Sequence, residues 1–133
     1  MILVDVNIFM DFLEQRERWE TSLAIISKVR QKKEKGCISA LTIPILYFLR
    51  SKYFTDQKAR QDVQEITAGF RIISLNQKSI TLAFASTFSD FEDALQYSAA
   101  IEKKCSAIIT RNTKDFLSSK IPVLTPEEYL KKE

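Results

Sequence analysis

Five short apolar runs, each of strand length, recur along the chain at residues 1–4 (MILV), 37–39 (CIS), 70–74 (FRIIS), 107–109 (AII) and 122–124 (PVL). Between them lie longer stretches in which apolar residues return every three or four positions, the period of an amphipathic helix. Strands that alternate with helices reach their neighbours by crossovers, which builds a parallel sheet covered on both faces. The fold class is therefore α/β, a three-layer α/β/α arrangement around a parallel sheet of about five short strands. With 133 residues, 45% of them hydrophobic, and only two glycines and three prolines, the chain has material for one core and none for a linker. Residues 1–133 read as a single domain.

Local signals place the helices. A helix is expected from Asn7 through Leu13, and a second over 20–35 with Leu23, Ile26 and Val29 inward and Gly36 as its terminating residue. Thr42 can cap a third, with Pro44 in its first turn. Others are expected over 56–68, closed by Gly69, over 77–87 and over 90–103, where Ser89 and Glu92 have capping-box spacing. A short helical turn over 111–117 follows the fourth strand, and Thr125-Pro126-Glu127-Glu128 opens a final helix.

Histidine is absent, which removes Ser-His-Asp and Cys-His nucleophilic sites and imidazole-based zinc sites. Cys37 and Cys105 lack CxxC spacing and each adjoins apolar sequence, so they read as buried reduced thiols rather than a redox pair, consistent with a cytoplasmic protein. The N-terminus has no basic leader, Asp5 interrupts its apolar run, and no 18-residue apolar segment occurs, so no membrane association is expected. The net charge of +3 is the difference between 20 basic and 17 acidic residues. Lys28, Arg30, Lys32, Lys33 and Lys35 crowd the end of the second helix, where cations complement the helix dipole more readily than they mark a phosphate contact. Trp19, Tyr47, Tyr53 and Phe54 read as core or dimer contacts.

The acids carry the chemistry. Asp5 follows the first strand, Asn112 and Asp115 follow the fourth, and Asp90 and Asp93 sit three residues apart at the start of a helix between them. In an open parallel sheet the ligand crevice lies outside the carboxyl ends of the strands, so these groups can meet there. Carboxylates sharing a crevice repel one another unless a cation neutralises them, and Mg²⁺ or Mn²⁺ prefers such oxygen ligands. An ion held there would activate water for attack on a phosphodiester, with no histidine or covalent nucleophile required. Asp90 reads equally as a helix-terminal acid and as a ligand, Glu92 as structural, and Asp115 as a cap, an ion-pair partner of Lys114 or Arg111, or a ligand. Asp93, beside Ala94 and Leu95, has no packing role that would explain it. Asn7 can orient Asp5 or cap its helix, Thr110 stands at the same edge, and Arg111 and Lys114 are candidate substrate contacts, although Arg111 could equally form a surface ion pair. A phosphatase or flavodoxin-like receiver also places acids at strand ends, but the chain lacks a glycine-rich phosphate loop.

The order of motifs, Met-Ile-Leu-Val-Asp-Val-Asn at 1–7, Asp-Phe-Glu-Asp-Ala-Leu-Gln-Tyr at 90–97 and Ile-Ile-Thr-Arg-Asn-Thr-Lys-Asp-Phe at 108–116, resembles the PIN domain. The likeness spans essentially the whole chain, including the Leu-Thr-Pro-Glu-Glu ending. It implies a Mg²⁺- or Mn²⁺-dependent endoribonuclease, often the toxin of a toxin–antitoxin pair, with RNA as substrate, an antitoxin protein as partner and frequent homodimerisation. By motif position Asp5, Asp93 and Asp115 would be the catalytic metal-site acids, with Asn7, Asp90, Thr110 and Asn112 in support. Asn112 stands where many PIN domains carry another aspartate. PIN nucleases also commonly carry a glutamate early in the helix after the second strand, whereas this chain has Ile45 or a close neighbour there. Asp90, Glu92 or Asp11 would have to substitute, and the alternative is an impaired PIN-like domain that binds RNA or a protein without cutting.

Overall fold

The computed structural model describes residues 1–132. The chain runs from Ile2–Val4 (β1) through Val6–Leu13 (α1) and Trp19–Arg30 (α2) to Gly36–Ser39 (β2), then Thr42–Ser51 (α3), Asp56–Ile66 (α4) and Arg71–Ile73 (β3). Gln77–Phe84 (α5), Phe91–Glu102 (α6) and Ala107–Ile109 (β4) follow, then a 3₁₀ turn at Thr113–Phe116, Val123–Leu124 (β5) and Pro126–Lys131 (α7). The strands form one sheet in the order β3-β2-β1-β4-β5, every neighbouring pair parallel, with Leu3 in register with Cys37 on one side and Ile108 on the other.

Alternation along the strands divides the interior into two layers. Ile2, Val4, Ile38, Ala107 and Ile109 pack with Ile8, Phe9, Ile25, Ile26, Val29, Leu46 and Val63 under α1–α4 and α7. Leu3, Cys37, Ile73 and Ile108 face the other way, onto Ala99, Ala100, Cys105 and Phe116. The two cysteines are free and buried as expected, their sulfurs 3.4 Å apart in this second layer. No helix among the described residues is long and apolar enough to cross a membrane.

The expected boundaries and caps fail in several instructive places. The second helix stops at Arg30 rather than near Lys35, because Gln31 caps it and Lys32 turns the chain with φ 62°. Gly36 is not a helix terminator but the first residue of β2, where a Cβ would stand 2.7 Å from Val29 Cγ2. The fourth helix likewise ends earlier than expected, at Ile66 with Thr67 as its C-cap, and Gly69 turns the chain beyond it at φ 90°. Thr42 does not cap α3, since Leu41 holds that position and the buried Thr42 hydroxyl accepts from Gln96 Nε2 at 3.4 Å. At α6 the cap is Asp90, not Ser89, which leaves Glu92 exposed in the first turn and outside any capping box. Thr125 does cap α7 with Pro126 in its first turn, and Glu128 completes a capping box with it.

Candidate functional site

The strand order reverses around β1: β2 and β3 lie on one side of it, β4 and β5 on the other. Helices leaving β1 and β4 depart to opposite faces at such a switch point, so a crevice opens between the carboxyl ends of these two strands. Asp5 ends β1 inside that crevice and is 3% exposed. It caps α1, accepting from the Val6 N–H at 2.7 Å, while its other oxygen accepts from the Thr110 hydroxyl at 2.7 Å. Thr110, which ends β4, is therefore a hub: its oxygen also accepts from Asn7 Nδ2 at 3.2 Å and from the Asn112 N–H at 3.1 Å. Asn7 Oδ1 accepts from the Arg111 N–H at 3.3 Å, stitching the start of α1 to the loop after β4. The Asn112 carbonyl accepts from the Asp115 N–H at 3.0 Å, which carries the order into the 3₁₀ turn.

The second wall is the N-terminus of α6, where Asp90 Oδ1 accepts from the Asp93 N–H at 2.9 Å. The acids feel one another. Burial pushes Asp93 up to about 7, helped by the charges of Asp5, Asp90, Asp115 and Glu92. Asp5 is raised to about 6, again chiefly by burial and then by Asp115 and Asp90, although the bonds from Thr110 and Val6 oppose the shift. Among the described residues no lysine or arginine forms an ion pair with Asp5, Asp90, Asp93 or Asp115. The donor set, carboxylate oxygens with an amide and a hydroxyl behind them, fits a hard divalent cation. As the side chains stand, no group of three acids or thiols among the described residues is drawn together enough to enclose an ion.

The structure thus brings Asp5, Asp90, Asp93 and Asp115 to one crevice, with Asn7 and Thr110 beneath Asp5 and Asn112 exposed at its rim. Lys114 is exposed on the 3₁₀ turn. Arg111 lies elsewhere than expected. Its guanidinium turns away from the acids, donating from Nε to Asp11 at 2.7 Å and from Nη1 to Glu127 at 2.5 and 2.7 Å. Asp11 is consequently buried in an ion pair, so neither group faces the crevice as a ligand or phosphate contact. Glu127 is the residue that sequence reading passed over, because its only local signal is that of a first-turn helix acid. Gln96, one turn beyond Asp93, is also new: its buried Oε1 has no partner among the described residues.

The PIN domain family model matches residues 1–114. No curated protein sequence matches the chain significantly. Among solved structures, a toxin–antitoxin complex from Klebsiella pneumoniae has a chain 26% identical, superposing with TM-score 0.70 over 95% of this chain and 98% of that one. VapBC-1 from nontypeable Haemophilus influenzae gives TM-score 0.72 at 16% identity, covering 96% of this chain and 99% of its own. VapBC2 from Rickettsia felis, bound to a DNA fragment from its promoter, gives 0.68 at 17% identity, with 93% and 97% covered. At those last two identities the likeness speaks for the fold alone.

Proposed function

The chain belongs to the PIN domain family, and from that premise we propose that its acid crevice is the site of a Mg²⁺- or Mn²⁺-dependent endoribonuclease, the toxin-like member of a toxin–antitoxin pair. One observation carries the reading: at the switch point burial and the charges of neighbouring acids, Asp90 and Asp115 among them, raise Asp5 and Asp93, and among the described residues no cationic side chain forms an ion pair with these four. A fold that keeps such repulsion gains nothing in stability, so the cluster is held for a ligand that neutralises it.

Asp5, Asp93 and Asp115 would hold the cation, which when bound supplies charge neutralisation and a water acidic enough to attack a phosphodiester. The chain's own part is orientation. Thr110 fixes one oxygen of Asp5 and Val6 the other, so that the remaining lone pairs point from a rigid strand end. Asn7 fixes Thr110 in turn, and Asp90 secures the first turn of α6 on which Asp93 stands. With Asp93 raised to about 7, a cation bound there would compete with a proton near neutrality.

The Klebsiella relative is a toxin–antitoxin complex, which supports an antitoxin as partner here, and exposed apolar side chains such as Phe84 and Leu117 offer area for one or for a second copy of the chain. A second reading rests on the start of α3: Ile45 or a close neighbour stands where PIN nucleases commonly carry an acid, which supports a domain that binds RNA or protein without cutting. Incubation of the parent and Asp93→Asn with labelled RNA and Mn²⁺ separates the two. Cleavage by the parent that disappears in the variant supports the nuclease. Binding without cleavage, equal in both, supports the second reading.

A further inference from the structure

We infer that Arg111 is a positioning residue for the acid crevice and that Glu127, on the C-terminal helix, is its anchor; the inference rests on the cation-binding reading of the crevice. Arg111 lies between Thr110, which bonds Asp5, and Asn112, whose carbonyl holds Asp115. Whatever fixes Arg111 fixes the loop that carries half of the site. Its backbone N–H is held by Asn7, and its guanidinium is held from every side. Beyond the bonds to Asp11 and Glu127, Nη2 donates to the Arg18 carbonyl at 2.7 Å, Thr21 Oγ1 at 2.8 Å and Ser22 Oγ at 3.0 Å. Ser22 and Thr21 also donate to the two carboxylates, Asp11 and Glu127 respectively, so each acid is held by a hydroxyl as well as by the guanidinium.

This is not a loose surface pair. The side chains of Arg111 and Asp11 are 16% and 6% exposed, and a planar fork held at both edges has little freedom to drift. The acceptors come from α1, the loop after it, α2 and α7, so the clamp ties the loop behind β4 to four separate segments. A cation site needs its oxygens placed to within a fraction of an ångström, and outer partners of ligands govern affinity for that reason. Glu127 lies beyond residues 1–114, the extent of the family match, so the crevice is steadied by a helix outside that segment.

The test titrates Mn²⁺ alone by calorimetry into the full chain and into Arg111→Lys, Glu127→Ala, Asp115→Asn and Thr55→Ala. Thermal unfolding first verifies that each variant is folded. Thr55 caps α4 far from the clamp, so its loss lowers stability without touching the loop. Arg111→Lys keeps the charge but cannot form the fork. The inference expects Arg111→Lys and Glu127→Ala each to weaken Mn²⁺ binding about tenfold while Thr55→Ala leaves it at the parental value. Parental affinity in both clamp variants, with Asp115→Asn deficient, overturns the inference and leaves the cation reading intact. An equal loss in Thr55→Ala overturns it also, because the effect would then be one of stability. Parental affinity in Asp115→Asn overturns the cation reading itself and the inference with it.

Discussion

Two groups of carboxylates lie on either side of the same loop and are treated in opposite ways. Asp11 and Glu127 are matched by Arg111, and burial, which would raise Glu127, is outweighed by its bonds from Arg111 and Thr21, so it sits below the usual glutamate range. Asp5 and Asp93 have no cation and are raised to about 6 and about 7. A buried acid beside its own arginine is an element of structure, whereas a buried acid beside other acids is an element of function. Position along the chain does not distinguish them: Asp5 and Asp11 belong to the same cap-and-helix segment.

The largest expected effect falls on the unmatched group. Asp93→Asn should reduce Mn²⁺-dependent RNA cleavage by on the order of a thousandfold, read in single-turnover assays, because an electrostatic partner of the reacting centre is lost. The same variant should be no less stable than the parent in metal-free buffer at pH 8, since one of the repelling charges has gone. A marked loss of stability instead would place Asp93 with the structural acids.

In stability Arg111→Ala should behave in the reverse way. Removing the partner leaves Asp11 buried and uncompensated, a cost of about 3 kcal/mol that urea denaturation would read. Full parental stability would show that the two groups differ less than their surroundings suggest.

Ile45→Glu sharpens the comparison by adding an acid to the unmatched side. Mn²⁺ should bind roughly tenfold tighter by calorimetry if the new carboxylate reaches the crevice. Unchanged affinity would indicate that the departure at Ile45 is not what limits binding.

The smallest effect is in pH. Asp5 and Asp93 have native pKa values near 6 and 7 against an ordinary 3.8, so the native state holds these protons more tightly than the unfolded chain. The stability this provides is complete below about pH 4 and is lost as pH rises through about 6 to 7. Glu127 has the opposite sign, contributing above the ordinary glutamate range and losing that contribution as pH falls. Metal-free protein should therefore show a falling Tm between pH 5 and about 8, with Mn²⁺ restoring it at the upper end and doing little at the lower. Asp93→Asn should flatten the profile, and an unaltered slope would count against the assignment of that proton.

Much of this was legible from residues alone, and the parts that were not share a cause. Short apolar runs that alternate with helical periods specify a parallel sheet, and Asp5, Asp93 and Asp115 stand at strand ends and a helix start where such a sheet opens. Strand order is another matter: only the pairing of β1 with both β2 and β4 creates the switch point, and no local signal announces it. Thr42 resembles a cap in sequence but is drawn inward by Gln96, a contact made across 54 positions. Arg111 neighbours Thr110 and so reads equally as a ligand contact or an ion-pair partner, and what decides between them is Glu127, on a helix 16 positions further along the chain. Failures thus concentrate where a side chain chooses between a near neighbour and a distant one.

The claim on which all of this turns is that Asp5, Asp93 and Asp115 gather around a common cation. Crystals soaked in Mn²⁺ and measured for anomalous scattering test it most directly. The account predicts an anomalous peak within coordinating distance of those three carboxylates. Occupancy only at other acids, or no peak at the carboxyl ends of β1 and β4, would contradict it.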